Sequence, residues 1–211
     1  MQKLALNKSA VRTPFALDAD QVLEEIASSS IQFLGMKLAR RGPTHKSVEA
    51  AYLKATPETF RTDLEGSPAD LLHSVPTLKS FIEAVPGKVG RMLLARLDGH
   101  SCIKMHADGN NPYFSETLRF HIPLVTNDRV WFFNTGKLYQ MKKGELWCIN
   151  NLGTHGVVND SDKKRLHVIF DVFIDDEIVE LVQSAEENLG IDIGSKPHIA
   201  AIFQKAAAGN Y

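Results

Sequence analysis

The chain has 211 residues, 24 basic and 25 acidic side chains, and a formal net charge of −1 at pH 7. That length suits a single domain over 1–211 with a sizeable core, and charge so evenly mixed leaves no footprint for nucleic acid or an anionic membrane surface. No apolar run approaches the length of a membrane span and residues 1–8 lack the apolar segment of a secretory signal, so the expectation is a cytoplasmic protein with no membrane and no nucleic-acid partner.

Residues 1–88 read as a mixed α/β part. Asp18 or Asp20 is placed to cap a helix through 21–27, 47–53 suits a strand, and Pro76-Thr77 opens a second helix that Pro86-Gly87 ends. Gly42-Pro43, Thr56-Pro57 and Ser67-Pro68 mark loops between them. Residues 89–174 are a succession of short strands at 89–97, 117–125, 130–133, 138–141, 145–149, 156–158 and 165–173, parted by turn signals such as Asn127-Asp128, Thr135-Gly136 and Asn159-Asp160. Many short strands with regular turns suit a sandwich or a barrel. A C-terminal helical extension fills 175–211. Acidic residues open a helix at 175–182, and Ile199, Ile202 and Phe203 follow helical spacing in the tail, with Ala206 to Ala208 favouring helix. That stripe packs on its own domain or, alternatively, docks on a second subunit as a homodimer contact.

The stretch from His106 to Arg165 carries the chemistry. In an extended segment positions i and i+2 project to one side, so His106 and Asp108 share a face while Ala107 points away. His155 lies later in the chain between Gly153 and Gly156, where backbone can approach a metal closely. Two histidines and a carboxylate on one face of a metal leave the other face open, the arrangement of non-haem Fe(II) oxygenases, so His106, Asp108 and His155 are the candidate ligands and catalytic centre. A His-x-Asp alone is a weak motif; a second histidine on a later hairpin and an arginine in the next strand give it weight. The competing reading is structural histidines and a solvated loop aspartate.

In 165–172, Arg165, His167, Ile169 and Asp171 share one face and Leu166, Val168, Phe170 and Val172 the other. A guanidinium aimed into a barrel is costly unless it meets a carboxylate, and the far end of 2-oxoglutarate would supply one. Lys163 and Lys164 read instead as a solvated turn. Arg119 and His121 also share a face, where two polar groups need partners, either a cosubstrate carboxylate or a cross-strand hydrogen bond.

Cys102 and Cys148 are far apart with no Cys-x-x-Cys, which argues against a disulfide scaffold or zinc ribbon, and Cys148 reads as a small buried hydrophobe. His45, His73, His100 and His198 fall outside the metal pattern, while His167 borders it on the Arg165 face. Trp131, Phe132 and Phe133 read as barrel core, with one aromatic free to wall a pocket. Arg61 and Arg96 are the remaining candidates to hold an anionic substrate group.

The segments 105–108, 118–125, 144–147, 153–155 and 165–172 together resemble the aspartyl/asparaginyl β-hydroxylase family of Fe(II)- and 2-oxoglutarate-dependent oxygenases, which includes bacterial proline hydroxylases. The resemblance implies a mainly β double-stranded β-helix (jelly-roll, cupin-like) core at 89–174 with flanking N- and C-terminal helices. It also implies iron ligation by His106 and His155, binding of the distal 2-oxoglutarate carboxylate by Arg165, and a cosubstrate site also lined by Arg119 and His121. O2 would be the other cosubstrate, ascorbate a supporting reductant, and an amino acid, free or in a peptide, the substrate hydroxylated at an aliphatic carbon. Two departures are visible. The animal aspartyl hydroxylase branch has glycine at the place of Asp108, so the full triad here is closer to the proline hydroxylase branch. Ala95 stands where some members place a serine. The rival readings are a cupin-like metal enzyme that uses no 2-oxoglutarate and a non-catalytic ligand-binding barrel.

Overall fold

The computed structural model describes residues 9–35, 47–54, 71–109 and 112–209. The expected loops at Gly42-Pro43, Thr56-Pro57 and Ser67-Pro68, and the candidates His45 and Arg61, lie outside them. Twelve described strands form two antiparallel sheets: β1 (Ala10–Ala16), β2 (Leu34–Gly35), β3 (Val48–Lys54), β4 (Val89–Leu97), β5 (Ser101–His106), β6 (Thr117–Val125), β7 (Val130–Asn134), β8 (Lys137–Tyr139), β9 (Glu145–Ile149), β10 (His155–Asn159), β11 (Arg165–Phe173) and β12 (Ile191–Asp192). One sheet runs β1-β9-β6-β11-β4-β3-β2 and the other β12-β8-β7-β10-β5. From β4 onward the chain changes sheet at every step except the β7–β8 hairpin. Wound in this way, β9-β6-β11-β4 faces β8-β7-β10-β5, which is a double-stranded β-helix and hence a jelly roll.

Alternation along each strand decides what each face meets. On β11, Leu166, Val168, Phe170 and Val172 point outward into a core with Phe120, Ile122 and Leu94. Helices α1 (Ala19–Ser28), α2 (Pro76–Ala84) and α4 (Asp176–Gln183) cover that face through Val22, Leu78, Ile82, Ile178 and Val182. Asp18 caps α1 through the Gln21 amide and Asp175 caps α4 through that of Ile178, satisfying first-turn donors. With both faces covered, β6 is buried along nearly its whole length. Between the sheets lies a second core built on Leu93, Ala95, Leu97, Phe132, Trp147 and Val157.

The aromatic run 131–133 splits across its strand. Phe132 points between the sheets, whereas Trp131 and Phe133 point out and pack under Ile199 and Phe203 of α5 (Pro197–Ala207). The apolar stripe of the tail is thus seated on β7 and β10 of its own chain.

Strands β1, β2 and β12 and the short helix α3 (Tyr113–Glu116) carried no expectation from the sequence, and β5 was expected only as the extended segment of the His106-Ala107-Asp108 motif. Pro14 argues against a strand, and β1 accommodates it at the edge of its sheet, paired with β9 and bridged at Arg12 to Glu186, with a register shift between Arg12 and Ala16. β5 lacks clean alternation because it is bulged.

Candidate metal centre

On β10, His155 pairs with His106 and Val157 with Ile103, so one extra residue is accommodated on β5. A bulge of this kind re-aims side chains. Here it lets Ile103 and His106, which regular alternation would place on opposite faces, line one pocket. The rings of His106 and His155 lie 4.3 Å apart between centroids. Nδ1 of His106 donates to the Lys104 carbonyl at 2.8 Å and Nδ1 of His155 to the Gly153 carbonyl at 3.0 Å. A carbonyl can only accept, so both tautomers are fixed with Nε2 left as the lone-pair nitrogen for a metal.

Asp108 lies two residues beyond the end of β5, so strand alternation does not aim it, contrary to the sequence argument. A loop contact does: the Asp108 amide donates to the Asn151 carbonyl at 3.0 Å. Asn151 Nδ2 donates back to Oδ2 of Asp108 at 3.1 Å, and Arg119 Nη1 donates to the same oxygen. That leaves Oδ1 turned to the histidines, 3.8 Å from His106 Nε2. One ligand atom from each of His106, Asp108 and His155 lies within 4.8 Å of the others. Burial alone would raise the Asp108 carboxyl, but Arg119, His155 and the Asn151 hydrogen bond together hold it well below the usual carboxylate range. Burial, reinforced by His106, lowers His155 to about 4. An ionised carboxylate and a neutral imidazole are the forms that bind a metal.

Arg119 Nε donates to Asp171 Oδ1 at 2.9 Å, and Arg91 Nη2 meets Oδ2 of the same carboxylate at 2.9 Å. Arg119, Asp171 and Arg91 thus form a row across β6, β11 and β4. The ring of Phe114 on α3 covers both guanidiniums, 4.8 Å from Arg119 and 5.3 Å from Arg91.

Toward the other end of β11, Arg165 is 1% exposed and donates through Nη2 to Nδ1 of His167 at 2.7 Å. Among the described residues no carboxylate pairs with Arg165 and its Nε has no partner, and burial lowers its pKa to about 9. Among the described residues His121 Nδ1 and His167 Nε2 are likewise buried without a partner. Burial, with Arg165 nearby, holds both rings well below the ordinary histidine value. The pocket that His106, Asp108 and His155 line also reaches Arg119, His121 and Arg165, with Phe132 in its wall.

The structure therefore brings together every sequence candidate at 106, 108, 119, 121, 155 and 165. Arg119, expected to face a cosubstrate carboxylate or a cross-strand partner, already engages Asp108 and Asp171. His167 is buried against Arg165 rather than bordering open space. Arg96 pairs with Glu49 at 2.7 Å and stacks on Phe33, away from the pocket. Ala95 lines the pocket opposite His167. Sequence reasoning missed Arg91, Asn151 and Phe114. The signal for Arg91 was present, since it is the one charged residue on the Arg91, Leu93, Ala95, Leu97 face of β4.

The donor set suits a divalent transition metal, with two imidazole nitrogens and one carboxylate oxygen on one side. A buried arginine with an unpartnered Nε and two unpartnered histidine nitrogens beside it suit a dicarboxylate cosubstrate.

Compared with known proteins, residues 50–174 match the family model for aspartyl/asparaginyl β-hydroxylase. No curated protein matches the sequence. Similar solved structures include a 2OG-Fe(II) oxygenase family oxidoreductase from Burkholderia pseudomallei (12% identity, 74% of this chain and 77% of that one, TM-score 0.46). A prolyl hydroxylase from Trichoplax adhaerens, in complex with a hypoxia inducible factor oxygen degradation domain peptide fragment, is 14% identical over 77% of this chain and 80% of its own, with TM-score 0.46. A cupin 2 conserved barrel protein from Salinispora arenicola CNS-205 is 12% identical over 65% of this chain and 83% of its own, with TM-score 0.35. Likenesses this distant carry no weight for the reaction; the fold rests on the strand order and the family on the sequence match.

Proposed function

The chain belongs to the aspartyl/asparaginyl β-hydroxylase family, and from that premise we propose that it is an Fe(II)- and 2-oxoglutarate-dependent dioxygenase that hydroxylates an aliphatic carbon of an amino acid, free or within a peptide. The single observation that carries the cosubstrate is Arg165, a fully buried guanidinium with no carboxylate beside it among the described residues. A metal-binding barrel that used no 2-oxoglutarate would leave that charge uncompensated.

When bound, Fe(II) with 2-oxoglutarate and O2 supplies the oxidation of a C–H bond to C–OH, with succinate and carbon dioxide released. The chain's own residues position the parts. His106 and His155 present Nε2, held in that tautomer by the carbonyls of Lys104 and Gly153. Asp108 presents Oδ1 because Arg119 and Asn151 engage Oδ2. Arg165 would pair with the distal carboxylate of 2-oxoglutarate, His167 orients that guanidinium through Nδ1, and the neutral ring of His121 would supply a further polar contact at that end. Phe132, Leu93 and Val157 keep the wall apolar and exclude water.

The test is succinate release from 2-oxoglutarate under air with Fe(II), ascorbate keeping the metal reduced, in wild type, His155→Ala and Arg165→Ala. Turnover is expected in wild type, abolished by the first substitution and lowered about 100-fold by the second, the effect of losing a buried charged partner. Turnover that survives His155→Ala, or no succinate at all from the wild type with any amino acid added, would overturn the reading.

A further inference from the structure

Arg91 is 5% exposed and lines the same pocket as His106 and Asp108. Its Nη2 meets Asp171, its Nε has no partner among the described residues, and Phe114 covers its face. Asp171 is a shared counter-ion, since it also engages Arg119, whose remaining reach goes to Asp108. Among the described residues of this pocket, three buried guanidiniums, Arg91, Arg119 and Arg165, are therefore set against two carboxylates, Asp108 and Asp171, leaving one positive charge in excess.

Fe(II) and 2-oxoglutarate bring opposite charges of equal size, so the excess survives the loading of both. The cosubstrate also has no carboxylate to spare for Arg91, because one end meets the metal and the other Arg165. Along β4, Arg91 stands six positions before Leu97, the register partner of Arg165, a separation of about 20 Å in an extended strand. Arg91 is thus at the opposite end of the pocket from Arg165, on the metal's Asp108 side, where Arg119 links the two. A buried surplus cation in a water-poor pocket selects an anion.

Resting on the oxygenase reading above, we infer that Arg91 anchors a carboxylate of the substrate, which is therefore an amino acid bound as its free acid or a residue with an acidic side chain. The unpartnered Nε is the donor that receives it, while Asp171 holds the guanidinium through Nη2.

The experiment is anaerobic titration of the Fe(II)- and 2-oxoglutarate-loaded protein, followed by the metal-to-2-oxoglutarate charge-transfer absorption. The probes are the twenty L-amino acids, their C-terminal amides, and the N-acetyl amides of aspartate and glutamate. At least one carboxylate probe is expected to shift the band, with its uncharged amide about 100-fold weaker, as for loss of a buried charge pair. Response to free acids alone points to a free amino acid, and response to the blocked acidic residues points to a side chain. Arg91→Gln should weaken the responding probe by a similar factor while still forming the 2-oxoglutarate band, which shows that the variant folds; Arg91→Lys should fall between. The inference is overturned if the amide binds as well as the acid, if Arg91→Gln binds the probe like wild type, or if no carboxylate in any set shifts the band. Failure of the wild type to form the band at all is a separate outcome, which removes the oxygenase reading and this inference with it.

Discussion

Arg165 and His167, two residues apart on the inward face of β11, are joined by a 2.7 Å hydrogen bond from Nη2 to Nδ1, and both are 1% exposed. A neutral acceptor orients the guanidinium without compensating its charge. Burial accordingly lowers Arg165 to about 9. Among the described residues nothing balances that buried charge, which a carboxylate ligand would relieve.

Arg165→Met follows directly from that imbalance. Replacing an uncompensated buried charge by an apolar side chain of similar length is neutral or stabilising by about 1–4 kcal/mol. The variant should melt no lower than wild type without ligand, yet lose the rise in melting temperature that 2-oxoglutarate gives the Mn(II)-loaded wild type. Thermal melts of both proteins with and without 2-oxoglutarate check this; a large loss of unliganded stability would mean that Arg165 is structural.

Asp171 should behave in the opposite sense. Its carboxylate is the shared partner of Arg91 and Arg119, so Asp171→Asn strands two buried cations and is expected to cost about 3–5 kcal/mol in urea unfolding. Because Arg119 then loses the contact that aims it at Asp108, metal affinity should fall as well. Unchanged affinity for Mn(II) would show that Arg119 needs no such support.

At Gly156, a Cβ would lie 2.8 Å from Cε1 of Phe203 and 2.9 Å from the Ile103 carbonyl. Gly156→Ala should therefore cost about 1–3 kcal/mol through overpacking and push β10, with His155 next in sequence, away from β5. Phe203→Leu should recover part of the loss in a double-mutant cycle. Additive effects of the two substitutions would contradict that coupling.

Stability of the metal-free protein should fall on acidification below neutral pH. His121 and His167 are held well below the ordinary histidine value of about 6.5, by burial first and by Arg165 next. Between that value and their folded values the unfolded chain holds the more protons, so stability is present above about pH 6.5 and is lost as pH falls, by about 1.4 kcal/mol per pH unit for each group. Urea melts at pH 7, 6 and 5 should show His121→Leu with the shallower dependence; identical slopes would contradict the assignment.

Much of this was legible in the sequence, for identifiable physical reasons. The 165–173 strand announces itself by strict alternation, and β11 spans Arg165–Phe173 with the expected faces. The helix near 21–27 was readable from its candidate caps Asp18 and Asp20, of which Asp18 is the cap, and the helix at 175–182 from the acidic residues at its start, of which Asp175 proves to be the cap. What escaped depends on partners distant in sequence. The bulge that turns His106 inward arises from pairing with β10, and Asp108 is aimed by Asn151, forty-three residues on. For Arg119 the sequence left a cosubstrate carboxylate and a cross-strand partner both open, because neither Asp171 nor Asp108 can be paired with it from spacing alone. Arg91 was overlooked for a similar reason. A lone arginine on an apolar strand signals a buried charge, yet only the fold shows that it shares its counter-ion.

The most direct measurement is calorimetric titration of the Mn(II)-loaded protein with 2-oxoglutarate and with 2-oxopentanoate, which keeps the metal-binding end and lacks the distal carboxylate. Wild type is expected to favour 2-oxoglutarate by about 100-fold, with the preference gone in Arg165→Met. Equal affinity for the two acids in wild type, or a preference that survives Arg165→Met, would contradict the assignment of Arg165 as the cosubstrate's counter-ion.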